Sequence, residues 1–199
     1  MFLRTESFSQ FIRYYPIITI IITIHILAYI LLFIPFFPSI AFYQTFAGTN
    51  IYIANGEWWR LFSPIFLHSS FAHLFFNSIS LIIFGPPLEK ILTKYPFLFL
   101  YICSGIIGNI ATFLLMPATY SHIGSSGAIF GLFGTYFSLY LFKSSLITNE
   151  HKKVILPIII LAGIMTFGQP NINFISHLSG FIAGVAFGYF YTSRRKPTF

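Results

Sequence analysis

Four polar side chains stand in apolar runs that have no packing use for them: His73, Asn77, Ser126 and His177. A serine hydroxyl and an imidazole are the minimum set for nucleophilic attack on a carbonyl, because the ring takes the hydroxyl proton while the oxygen adds to carbon. A second imidazole and a carboxamide can donate hydrogen bonds to the carbonyl oxygen as it becomes negative. Ser126 lies in HIGSSGAIFG, where an apolar run begins, and His177 lies in ISHLSGFIAG at the start of another. His73 and Asn77 lie in HSSFAHLFFN, four residues apart, so they share one helix face. An orienting carboxylate is missing. The chain has no Asp, and its acids Glu6, Glu57, Glu89 and Glu150 fall outside these runs. The most these residues supply is a Ser126–His177 dyad.

The elements that must position them are set by the solvent. Over 199 residues, 56% are hydrophobic, 21% aromatic and only 8% charged. A water-soluble domain carries about 25% charged residues, so the bilayer is the solvent here. The length suits one integral membrane domain. The single Cys103 cannot form an internal disulfide. The net charge of +7 comes in short basic clusters between apolar spans, which fits membrane topology and not nucleic-acid binding.

A spanning helix needs about 20 apolar residues. Six candidate spans follow: Pro16–Phe33, Pro64–Gly85, Pro96–Met116, Ser126–Phe142, Val154–Phe167 and Ile172–Tyr191. The expected fold is an all-α, polytopic six-helix bundle over 16–192. A cytoplasmic or interfacial segment, 1–15, precedes it, and a basic tail, 193–199, follows. The first fifteen residues have neither a signal-peptide cleavage site nor transit-peptide composition. Alternate connections hold Arg4 and Arg13, Lys90 and Lys94, Lys143, Lys152 and Lys153, and Arg194, Arg195 and Lys196. The positive-inside rule then makes both termini cytoplasmic and puts the connection from Ile34 to Ser63, with Trp58 and Trp59, outside in the interface.

His73 precedes Lys90, Ser126 precedes Lys143 and His177 precedes Arg194 by 17 residues each. At about 1.5 Å per residue, all three side chains lie roughly 25 Å above a cytoplasmic charge, in one layer of the outer leaflet. Gly180, Gly184 and Gly188 form a stripe on the last span, and Gly127, Gly131 and Gly134 form one on the fourth. Facing glycine stripes let two helix backbones meet, which would bring His177 to Ser126.

Taken singly, each feature has a plainer reading. GSSG is a turn or packing site, His73 with Asn77 is an interhelical pair, and His177 is a satisfied polar residue. Their common depth is what points to catalysis. His68, His73 and His177 make a poor zinc site, with no carboxylate and no H-E-x-x-H, so no metal or other cofactor is expected. His25, alone in the first span, and His122 and His151, in connections, read as structural.

These motifs resemble the rhomboid family of intramembrane serine proteases, from about Glu57 to Tyr191. EWWRLFSPIFLHSSFAHLFFN resembles the family's outer-loop Trp-Arg and its second-helix histidines with Asn. GSSG matches Gly-x-Ser-Gly, and SHLSGFIAG matches His-x-x-Gly-x-x-x-Gly. FGPPLEK resembles the acid at the end of the second helix, here Glu89. The resemblance implies a minimal, six-helix bacterial form in the cell membrane. Ser126 is then the nucleophile and His177 the base, with the Ser126 N–H, His73 and Asn77 as the oxyanion site. Substrates would be transmembrane proteins entering from the bilayer. Phe130 stands where some bacterial relatives have Tyr, and Thr93 where Gly is common. A catalytically inactive rhomboid-like protein that binds membrane helices is the first alternative. A small transporter is the second, and the apolar inner halves of the spans count against it.

Overall fold

The computed structural model describes residues 5–142, 149–167 and 172–193. Helix α1, Phe8–Tyr14, is closed by a capping box between Ser7 and Gln10 and bends by 109° into α2, Pro16–Leu31. The connection after α2 folds into α3, Ser39–Phe46, a two-residue strand β1, Gly48–Thr49, and α4, Asn50–Ala54. Two 3₁₀ turns, Trp58–Leu61 and Ser63–Phe66, lead to α5, Phe71–Leu92, and then α6, Lys94–Leu115. Strand β2, Ser121–His122, pairs antiparallel with β1. Helices α7, Ser126–Phe142, α8, Asn149–Phe167, and α9, Phe174–Ser193, complete the chain.

The architecture is all-α and polytopic, and α2 with α5 to α9 correspond to the six expected spans. Helices α5 and α6, and Phe174–Tyr191 of α9, are each long and apolar enough to cross a bilayer. Helix α7 is apolar but has only 17 residues, about 25 Å against about 33 Å for the 22 of α6. It is the inner helix, with Leu132, Tyr136 and Leu139 fully enclosed.

One expected span is displaced. The second was placed at Pro64–Gly85, and the helix runs Phe71–Leu92. Pro64 resembles a helix-opening proline but opens only a 3₁₀ turn, and the true cap is Ser70, whose hydroxyl accepts from the His73 N–H at 3.2 Å. Pro86 and Pro87, just past the expected end at Gly85, lie inside it. Neighbouring helices support such a break. Tyr136 donates to the Phe84 carbonyl at 2.7 Å, just ahead of the prolines. Of the basic residues expected on the cytoplasmic side, Lys143 and Arg194 lie outside the described residues, as do Arg4 and the tail from 194.

Lipid tails are as apolar as leucine, so burial from water does not hold these helices together, and close packing must. The seam of α7 and α9 is backbone on backbone. A Cβ on Gly180 would strike the Gly127 carbonyl, one on Gly184 the Gly131 carbonyl, and one on Gly134 the Phe181 carbonyl. Helix α6 joins at Ser176, whose hydroxyl lies 2.5 Å from where a Cβ would stand on Gly108 or on Gly127. At the other end of α9, Tyr191 donates to the Leu92 carbonyl of α5 at 2.6 Å. Buried Glu89 caps the start of α2, accepting from the N–H groups of Ile17 at 3.0 Å and Ile18 at 3.2 Å.

Candidate active site

Ser126 is the first residue of α7, held there by the turn before it. Gly124 has φ +121°, a region that disfavours side chains, and a Cβ on it would stand 2.6 Å from His73 Nε2. Its N–H bonds the Pro64 carbonyl at 2.9 Å, and β2 ties the loop to the connection between α2 and α5, with Gly48 opposite His122. The two serines of GSSG are separated by the start of the helix. Ser125 is fully buried, with its hydroxyl 3.5 Å from His68 Nε2. Ser126 lines a cavity of about 660 Å³ together with Ser69, His73, Asn77, Asn173 and His177.

His177 is carried into place by a capped helix start. The Asn173 side chain accepts from the Ser176 N–H at 3.0 Å and donates to Thr112 on α6 at 2.9 Å. With the glycine seam fixing the separation of α7 and α9, His177 Nε2 lies 2.7 Å from Ser126 Oγ. The imidazole lies on the Phe130 ring, centroids 4.2 Å apart and planes within 13°. Its other nitrogen, Nδ1, lies 3.0 Å from Thr166 Oγ1 on α8. The ring, carried by α9, is therefore fixed by residues of α7 and α8.

His73 and Asn77 share a face of α5 that borders the cavity. The Ser69 hydroxyl is 3.1 Å from His73 Nδ1, which leaves Nε2 on the Gly124 side. Asn77 gives one N–H to the His73 carbonyl at 3.0 Å, and a carboxamide has a second to offer. Ile129 N–H is the first of α7 to find an intrahelical acceptor, Ser125 O. The N–H groups of Ser126, Gly127 and Ala128 thus have none within the helix. A carbonyl oxygen held beside Ser126 would meet N–H donors and the positive end of the helix dipole.

All four residues singled out from sequence border one cavity, and two of them touch. Thr166 and Asn173 were not singled out. Asn173 has a signal, an Asn immediately before an apolar run, which is a helix-capping pattern. Thr166 has none, since its partner lies across a connection on another helix. His25 is the one histidine of α2, and it meets histidines carried by other parts of the chain. Its ring packs against His68, centroids 4.8 Å apart, and His68 against His73 at 5.1 Å. Among the described residues no group of three His, Cys, Asp or Glu is disposed to hold a metal ion.

The Rhomboid domain family model matches residues 55–194. The chain is 43% identical over 98% of both sequences to the Bacillus subtilis (strain 168) protein named "Putative rhomboid protease YdcA". It is 38% identical to "Rhomboid protease GluP" of the same organism, over 69% of this chain and 27% of that one. Against "RHOMBOID-like protein 9, chloroplastic" of Arabidopsis thaliana, identity is 32% over 72% of this chain and 33% of that one. With its glycine-packed bundle and a domain match over most of its length, this chain belongs to the rhomboid family.

Proposed function

We propose that the protein is an intramembrane serine endopeptidase that cleaves other membrane proteins in or near a transmembrane segment. The observation that carries this reading is the 2.7 Å contact between Ser126 Oγ and His177 Nε2 at a polar cavity inside an apolar bundle. In the reaction, Nε2 takes the Ser126 proton as Oγ bonds to the scissile carbonyl carbon. The oxyanion is met by the Ser126 N–H, His73 and Asn77. As the C–N bond breaks, the imidazolium returns the proton to the leaving nitrogen. Water then adds to the acyl-serine with His177 as base, which frees the new carboxylate and restores the hydroxyl. A hydroxyl, an imidazole and water suffice.

The decisive experiment is labelling by a serine-directed fluorophosphonate alongside cleavage of a transmembrane reporter in reconstituted vesicles. Wild type should do both, and Ser126→Ala and His177→Ala should do neither, since a dyad acts as a unit. Ser125→Ala should retain cleavage. Cleavage by Ser126→Ala, or a wild type that neither labels nor cleaves, would sink this reading.

Orientation is part of the proposal. The termini face the cytoplasm and the cavity faces outward. On the outer side Arg60 is neutralised by Glu57 at 2.7 Å and buried against the Gln44 and Ala47 carbonyls. Cysteine labelling at positions 58 and 152 in a Cys103→Ser background should find the first external and the second internal. External labelling at 152 would overturn the helix count and the common depth of the site residues together.

A further inference from the structure

We propose that Thr166 is the positioning residue of the catalytic base, holding His177 in the one tautomer that can accept a proton from Ser126. This rests on the dyad reading above. A neutral imidazole carries its proton on either nitrogen, and the hydrogen bond made by one nitrogen decides the state of the other. With the proton on Nε2, the ring donates to Ser126 Oγ and cannot serve as a base. With the proton on Nδ1, Nε2 is bare and faces the serine hydroxyl.

The Thr166 hydroxyl settles which form is held. It is buried at 6% exposure, and its single proton is directed to the Ala162 carbonyl, 2.8 Å away in the preceding turn. Toward His177 Nδ1, 3.0 Å off, it therefore has only lone pairs to offer. The ring must donate through Nδ1–H, and Nε2 then accepts from Ser126 Oγ at 2.7 Å. When the serine proton moves to Nε2, the Nδ1–H bond persists and the Thr166–Ala162 link polarises to support the positive charge.

In serine hydrolases with a triad, a carboxylate does this, and losing the correct tautomer there costs about 10⁴ in turnover. This chain has no Asp, and among the described residues no Glu borders the cavity. Phe130 cannot substitute, since a ring stacked at 4.2 Å fixes the imidazole plane but not which nitrogen holds the proton. The hydroxyl is on α8, which carries neither member of the dyad, so a third helix has a hold on the base.

The test is Thr166→Val, which keeps the shape and removes the hydroxyl, beside Thr166→Ser, which keeps the hydroxyl. Each is reconstituted full-length with wild type and Ser126→Ala. For Thr166→Val, kcat should fall about 10–100-fold with the fluorophosphonate labelling rate falling in parallel. Its KM should stay within about two-fold, because substrate contacts are untouched. Its unfolding temperature should stay within about 3 °C of wild type. Thr166→Ser should restore most of kcat. If Thr166→Val unfolds, Thr166→Ala is judged by the same measures. Full kcat in the folded Val or Ala variant overturns the proposal. So does a Ser variant as slow as Val, since shape and not the hydroxyl would then matter. Cleavage by Ser126→Ala would instead overturn the dyad, so the two failures are distinguishable.

Discussion

The Phe130 ring lies flat against the His177 imidazole, 4.2 Å between centroids, one turn below the serine on the same helix. Stacking of this kind restrains the plane of the imidazole without any polar contact. Phe130→Ala should therefore slow cleavage, roughly 10²-fold if the ring drifts by about 1 Å. Phe130→Tyr should keep the stack and most of the rate. Turnover of a reporter by the two variants decides it, and equal rates for Ala and wild type would make the stack incidental.

His73 and Asn77 are proposed as donors to the oxyanion, and such a donor typically contributes about 10²–10³ in rate. His73→Ala and Asn77→Ala should each lower kcat on that scale while the protein stays folded. Either variant cleaving at full rate would reduce that residue to a packing role.

The glycines of the bundle should differ sharply in what they tolerate. A Cβ on Gly184 meets the Gly131 carbonyl, which is backbone and cannot move aside. Gly184→Val should push α7 and α9 apart, remove most activity and lower the unfolding temperature. Gly188 meets the Ser138 side chain, at 2.8 Å from its Cβ, and Gly188→Ala should be milder. Gly163 has nothing within 4 Å, so Gly163→Ala should leave stability intact. Cleavage rates and unfolding temperatures of the three should fall in that order, with 163 least affected.

Thr93 joins α5 to α6 with φ +72° and ψ 171°, backbone that is almost reserved for glycine. Such strain costs about 1–3 kcal/mol, and the greater freedom of glycine in the unfolded chain returns about 0.5–1. Thr93→Gly should therefore stabilise the protein by about 1 kcal/mol, seen as a higher unfolding temperature with unchanged turnover. A lower one would contradict the strain.

Acid should loosen the loop ahead of Ser126. His122, on β2, bonds Asn109 on α6 at 3.0 Å. Burial lowers its pKa from 6.5 to about 4, a backbone hydrogen bond to Gly48 offsetting part of this. Between those values the unfolded chain binds a proton that the folded chain does not, so stability rises with pH. The contribution is complete above about 6.5 and is lost as pH falls toward 4. Comparing wild type with His122→Gln from pH 7.5 to 4 should show the steeper loss in wild type; parallel curves would exclude His122 as the cause.

Much of this was legible in the sequence because membranes punish polar residues. The bounds of α7 follow from GSSG at one end and the loss of apolar run at the other, and both matched Ser126–Phe142. The glycine periods announced the α7–α9 seam. The start of α5 was missed because Pro64 carries a helix-start signal while the real cap, Ser70, hides among polar neighbours. The β1–β2 pair is too short to have a period. Thr166 was invisible for a different reason: its bond to His177 joins two helices through a connection, and no spacing within either helix reports it.

The seam also has a consequence for how the protein is made. Ser126 and His177 are 51 residues apart, and the helix between them, α8, is not the one that α7 packs against through glycine. At about 5–20 residues per second, Ser126 precedes His177 by roughly 3–10 s of synthesis. Through that interval α7 has its serine without the His177 imidazole. A chain still on the ribosome thus lacks the proposed dyad, and a truncated one stays so, because completing the last helix is what brings the His177 imidazole to the Ser126 hydroxyl.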